Sequence, residues 1–264
     1  MQNKIKLESI VSNWDEYKVD LLQKGIIPGK DNRALIKITE KVIGNFCDGK
    51  LSLKDFLVEI NQIKTDDKSE PKTALAVWGA RSVDGTRFIY TVKKYCIGKE
   101  REDLEKCLRD SMPLPKNPTD AKDKINKLEN FVSSIKSSIT ENKVNRIDPL
   151  RNWKAVKNNI HPEYSIFLLS LFWDMQEYGK YPVYYISSKN IFKMAFSNSG
   201  AYYKEGKSSG EDYLDFCNFI DDLKKSIEAT KKEKVNYTII SVLFLNYVYQ
   251  KYITLNFRKL IPPI

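Results

Sequence analysis

HPEYSIFLLSLFWDMQEYGKYPVYYISSKNIFKMAF, residues 161–196, combines more aromatic area with less charge than any other segment of the chain. Its first half predicts a strongly apolar helix carrying Ile166, Phe167, Leu168, Leu169, Leu171, Phe172 and Trp173. Gly179 marks a tight corner, the run from Tyr181 to Ile186 is β-prone, and Ser187 or Ser188 can start a second helix. So much aromatic area with so little charge makes this stretch the centre around which the fold is organised.

Working outward, the segment NSGAYYKEGKSSG (198–210) is a Gly- and Ser-rich loop long enough to carry function. Beyond it, Tyr213 to Ala229 and Tyr237 to Leu255 both read as helices, the second apolar nearly all round and therefore buried. Upstream, Asp120 to Ile139 is amphipathic, with Ile125, Leu128, Phe131, Val132 and Ile135 recurring at three and four residues. The three prolines of SMPLPKNPTD (111–120) break the preceding helix, Glu102 to Leu108, and make a connector and candidate boundary.

The first third predicts three helices. Leu7, Ile10, Val11, Trp14, Tyr17, Leu21 and Leu22 share one face, and Gly25 stands where a C-terminal cap belongs. Asn32 can cap a second helix carrying Leu35, Ile36, Ile38, Val42, Ile43 and Phe46, which stops near Asp48-Gly49. Ser52 with Asp55 approximates a capping box for a third, with Leu53, Phe56, Leu57, Ile60 and Ile63 inward. Then KTDDKSEPK (64–72) is a charged loop. The following TALAVWGARSVDGTRFIYTVKKYC (73–96) is ambiguous, since Asp84-Gly85 is also a hairpin signal; helices over Ala74 to Trp78 and Phe88 to Tyr95 are preferred. The expected architecture is mainly α and multi-helical, with a small β element near Tyr181 to Ile186. A helical region over 1–63 joins an aromatic-centred body over 73–264, either as two units or as one continuous domain.

Composition bounds the function. In 264 residues, 42% apolar content is ample for a core, and a formal net charge of +10 favours an anionic partner. Cys47, Cys96, Cys107 and Cys217 are scattered and His161 is the sole histidine, so buried reduced thiols are expected and a metal site is not. The amino terminus lacks the apolar core of a signal peptide, and the longest apolar run is shorter than a membrane span. No membrane partner, a cytoplasmic location and no cofactor are therefore expected, while the oligomeric state stays open, a homo-oligomer included.

Three reactions were weighed against the residues. Neither GIIPGKD (25–31) nor GAYYKEGKS (200–208) has the four-residue glycine spacing a phosphate-binding loop needs to wrap phosphates in backbone amides. Asp66, Asp67, Glu70 and Lys72 echo a magnesium nuclease, but Pro71 is incompatible with the central strand that motif requires. Nucleophilic catalysis lacks a base, since His161 precedes Pro162 near a helix start and reads as a cap or packing residue. No catalytic residue is assigned.

Nucleic-acid contact fits better. Trp78, Arg81, Arg87, Tyr90, Lys93, Lys94 and Tyr95 interleave rings with cations, and Tyr202, Tyr203, Lys204 and Lys207 do so in the Gly-rich loop. Rings stack on bases while cations neutralise phosphates. The competing assignment sends the rings to the core and the lysines to water.

The pattern LSLFWDMQEYGKYPVYYISSKNIFKM (169–194) resembles the amino-terminal region of many bacterial AAA+ proteins of the McrB-like restriction group, in which a helix ending in Phe-Trp precedes a Lys-Tyr/Trp-Pro turn, an aromatic run and Ser-Ser. Trp78-Gly79 with Asp84-Gly85, Leu114-Pro115 and GEDYLDFCNFIDDL (210–223) extend the resemblance over Thr73 to Leu223. It implies a variable module that precedes a nucleotide-driven motor and works with a nuclease partner against foreign DNA. This chain holds no Walker motif, so the implied role is the module alone: non-catalytic DNA recognition or partner docking. The alternatives are a defence effector enzyme such as a metal-dependent nuclease, and a purely structural adaptor.

Overall fold

The structure is a computed structural model that describes residues 7–23, 33–63, 84–141, 160–185 and 207–248. The expected helices over Ala74–Trp78 and after Ser187, the Asn32 cap, the Gly25 cap and the segment 64–83 lie outside the described residues. Ten helices are present among the described residues, and no strand. They are α1 (Leu7–Ser12), α2 (Trp14–Gln23), α3 (Arg33–Cys47), α4 (Leu53–Gln62), α5 (Asp84–Tyr95), α6 (Lys99–Ser111), α7 (Pro118–Glu141), α8 (Tyr164–Gln176), α9 (Ser209–Lys231) and α10 (Tyr237–Val248).

The apolar helix of the opening stretch is α8, and every residue from Ser165 to Met175 is buried. Its aromatic side chains reach in several directions. Phe172 meets Phe56 of α4 at 5.8 Å between ring centroids, and Phe56 stacks on Phe46 of α3 at 4.5 Å. Trp173 lies 5.7 Å from Tyr213 of α9, whose neighbours Phe216 and Phe219 meet Phe244 of α10 at 6.1 and 5.0 Å. The helices of residues 7–63 thus share one apolar cluster with the aromatic-centred body. Lys18–Glu233 and Lys231–Asp15 ion pairs tie α2 to the end of α9 and the turn after it.

Local signals explain most boundaries. Ser52 Oγ accepts from the Asp55 amide at 3.1 Å, the cap expected for α4. The α3 helix stops at Asp48-Gly49, where Gly49 takes φ +79. Arg109 of α6 completes that stop: its guanidinium donates to the Phe46 and Leu51 carbonyls at 2.8 Å each, lies over the Phe46 ring and pairs with Glu105. Ser208 and Glu211 form a reciprocal capping box at the start of α9. The expected first helix is broken by a turn at Asn13 into α1 and α2.

One expectation is corrected. The run expected to be β over Tyr181 to Ile186 is not a strand over its described part, 181–185. Among the described residues no strand offers a ladder, and hydroxyls on helices supply acceptors instead: Ser241 Oγ for the Val183 amide at 3.1 Å and Ser170 Oγ for the Tyr184 amide at 3.0 Å. The preferred helix over Phe88 to Tyr95 is present, and the Asp84-Gly85 pair opens it rather than turning the alternative hairpin.

The proline-rich connector 111–117 is a packed seam. Carbonyls of five successive residues accept side-chain donors: Ser111 from Trp173 Nε1, Met112 from Gln176, Pro113 and Leu114 from Lys124, and Pro115 from the Tyr181 hydroxyl. Prolines prevent this segment from bonding within a helix, so donors come from α7, α8 and the corner after α8.

Candidate nucleic-acid interface

The α5 helix is amphipathic and firmly seated. Phe88, Ile89, Val92, Tyr95 and Cys96 are buried on one side, Phe88 packs edge-on against Tyr164 at 5.8 Å, and Thr86 donates to Asn61 of α4 at 3.1 Å. Burial on one side fixes what the other presents. Arg87, Tyr90 and Lys94 follow at spacings of three and four, so they line one outward face, and all three are exposed. Lys93 is half-buried on the flank. Lys93 and Lys94 occupy the last turn, where the helix dipole favours cations.

The corner after α5 adds to this surface. Gly98 takes φ +50 and ψ −127, a conformation disfavoured for side chains with a Cβ, and it lets α6 begin immediately. Ile97 is left 47% exposed beside the corner, its amide donating to Glu100 at 2.9 Å. Lys99 is exposed, while Arg101 turns back to donate to the Cys96 carbonyl at 3.0 Å and is occupied with closing the corner.

Charge along this stretch is one-sided. No acidic residue occurs from Gly85 to Lys99, which holds Arg87, Lys93, Lys94 and Lys99. None of these four has an ion-pair partner among the described residues. Other lysines are paired, among them Lys50–Asp48, Lys124–Asp120, Lys127–Asp110, Lys224–Glu228 and Lys225–Asp221, the first at 2.8 Å and the second at 3.3 Å; the cations of Gly85–Lys99 have no carboxylate interspersed among them.

Of the residues singled out in the sequence, Arg87, Tyr90 and Lys94 are brought together on α5, with Lys93 on the flank. Tyr95 is buried in the core and offers no ring to a ligand. Lys207 is held by Asp215 at 2.7 Å, so its charge is engaged beside the Ser208 cap. Trp78, Arg81, Tyr202, Tyr203 and Lys204 lie outside the described residues, as do Asp66, Asp67, Glu70 and Lys72. Ile97 and Lys99 were not read from the sequence, although the Gly98 break beside them was a usable signal.

Other reactive groups are placed structurally. His161 packs edge-on against Tyr164 at 5.2 Å with Nδ1 3.4 Å from Glu163, which fits a packing role. All four cysteines are free thiols. Burial pushes Cys47 and Cys107 up to about 11 and Cys217 up to about 12, which keeps these thiols protonated and poorly nucleophilic at neutral pH. Among the described residues no cluster of three or more His, Cys, Asp or Glu side chains is placed to hold a metal. No described helix is long and apolar enough to cross a membrane.

The fold and this surface define a mainly α-helical protein with an exposed basic helix. No protein-family model, curated protein or solved structure matches the chain.

Proposed function

We propose that this chain is a non-catalytic nucleic-acid-recognition module whose contact surface is α5 and the corner that follows it. The observation that carries the reading is the run of charge of one sign on one surface: four cations without ion-pair partners among the described residues lie along Arg87–Lys99, a stretch with no acidic residue, whereas Lys127, Lys224 and Lys225 are each paired with a carboxylate. Cations that already have carboxylates gain little from phosphate. Cations held on a rigid helix without them release condensed counterions from a nucleic acid when they bind. The resemblance of Thr73 to Leu223 to the McrB-like amino-terminal region supports placing such a module beside the motor and nuclease subunits of a restriction-type defence system acting on DNA.

The test is retardation of labelled DNA by the purified chain at low salt, with magnesium present. The reading expects salt-sensitive binding and uncut DNA; magnesium-dependent cleavage would favour the nuclease alternative. Absence of binding at low salt would overturn the reading and leave a docking or adaptor role, which the exposed Tyr90 and Ile97 side chains favour over solvation alone.

A further inference from the structure

We infer that the outward face of α5 takes single-stranded nucleic acid in preference to duplex, the Tyr90 ring stacking on an unpaired base between phosphates met by Arg87 and Lys94. This rests on the nucleic-acid reading above and narrows it to strands whose bases are open. A helix rise of about 1.5 Å per residue puts Arg87 and Lys94 about 10 Å apart along the axis, with Tyr90 between them. The ring is 46% exposed although it sits on a helix whose other side is fully committed to the core. Ile97, 47% exposed, lies two residues beyond the same helix. Five large hydrophobic side chains are exposed among the described residues, and two of them adjoin the unpaired cations.

A ligand that uses this surface fully must therefore offer negative charge and apolar area together. A duplex offers phosphates and groove edges, but its base faces are stacked on one another and closed to Tyr90. An open strand offers both, since every base has a π-face. The platform is also rigid: Thr86 is bonded to Asn61, and Phe88 is wedged against Tyr164, so little ordering of the helix accompanies binding.

The experiment is fluorescence anisotropy with a labelled mixed-sequence DNA strand of about 20 nucleotides and the matching duplex, a length that exceeds the footprint of one such face. Wild-type protein is expected to bind the strand about tenfold tighter than the duplex, the lower part of the range for one stacked base. Tyr90→Ala should remove most of that preference by lowering strand affinity far more than duplex affinity, with a cooperative melting transition showing that the variant is folded. Equal or tighter duplex binding, or a Tyr90→Ala loss that is the same for both forms, would overturn the single-strand inference while leaving the charge-based reading intact. Binding of neither form would overturn both. Phosphatidylserine vesicles are the remaining arm: vesicle binding abolished by Arg87→Glu in a protein that ignores the strand would assign the face to an anionic lipid surface.

Discussion

Replacing Trp173 tests whether α8 organises the core, and two substitutions separate what the indole does there. Its ring is fully buried between Tyr213 and Tyr181, and its Nε1–H donates to the Ser111 carbonyl at 3.2 Å. Burying an aromatic side chain removes roughly 150–250 Å² from water, about 4–6 kcal/mol as an upper bound at 25 cal/mol/Å². Aromatic-to-alanine changes in cores cost about 3–5 kcal/mol, so Trp173→Ala should fall in that range, a large fraction of a typical stability of about 5–15 kcal/mol. Trp173→Phe keeps most of the ring and removes the donor, leaving the Ser111 carbonyl unpaired for about 1–3 kcal/mol. Urea unfolding followed by far-ultraviolet circular dichroism gives both values. With a slope of about 3 kcal/mol/M, the alanine variant should lose about 1–1.7 M in midpoint and the phenylalanine variant about half as much. An unchanged midpoint for Trp173→Ala would refute the placement of α8 at the centre, and an unchanged midpoint for Trp173→Phe would refute the role given to the Ser111 bond.

Two further outcomes follow from packing and charge. A Cβ added at Gly210 would stand 2.4 Å from the Lys122 carbonyl oxygen, a backbone atom that cannot swing aside, so Gly210→Ala should cost about 1–3 kcal/mol in the same urea assay by forcing α9 away from α7. On acidification, stability should fall. Asp120 is held below its usual value by the Lys116 amide, Asp221 by Lys225 and Tyr237, Glu211 by Ser208, and Glu228 by Lys224 and the Val235 amide. Groups with depressed folded values stabilise the native state above their unfolded pKa, near 3.8 for Asp and 4.5 for Glu, and lose that contribution as pH drops through the folded values. Melting temperature should therefore be flat from pH 7 to about 5 and decline below about 4.5, with each exposed group contributing little.

Helical periodicity made most of the fold legible. The apolar spacings of α4, α7 and α9 predict most of the buried faces found, that of α3 does so except at Ile38, which is exposed, and the apolar, aromatic sequence of α8 predicts its central place. What sequence could not convey were partners distant along the chain. The extended run after Gly179 has β-forming residues, yet its amides find hydroxyls on Ser170 and Ser241, which no local pattern indicates. The prolines of 111–117 read as a break, and the donors that hold this segment, Trp173, Gln176 and Tyr181, come from more than sixty positions later. The candidate surface was legible in its residue types and obscured in its geometry. Arg87, Tyr90 and Lys94 share a face only if the segment is helical, and Asp84-Gly85 pointed equally to a hairpin, in which odd and even positions would have faced opposite ways. Lys207 shows the converse: a cation in a plausible loop is engaged by Asp215, eight residues on and brought back by the capped start of α9.

Salt dependence of affinity measures the central claim most directly. Each phosphate contact contributes a slope of about −0.7 on single strands and −0.9 on duplex when the logarithm of affinity is plotted against that of salt concentration. The double variant Arg87→Glu/Lys94→Glu should lower affinity and flatten the slope by about 1.5, the sum for two contacts. A control carrying Lys127→Glu, which reverses an exposed cation already paired with Asp110 on α6, should leave the slope close to wild type. Equal flattening by variant and control, per charge reversed, would show that binding follows net charge alone, and an unchanged slope in the double variant would contradict α5 as the contact surface.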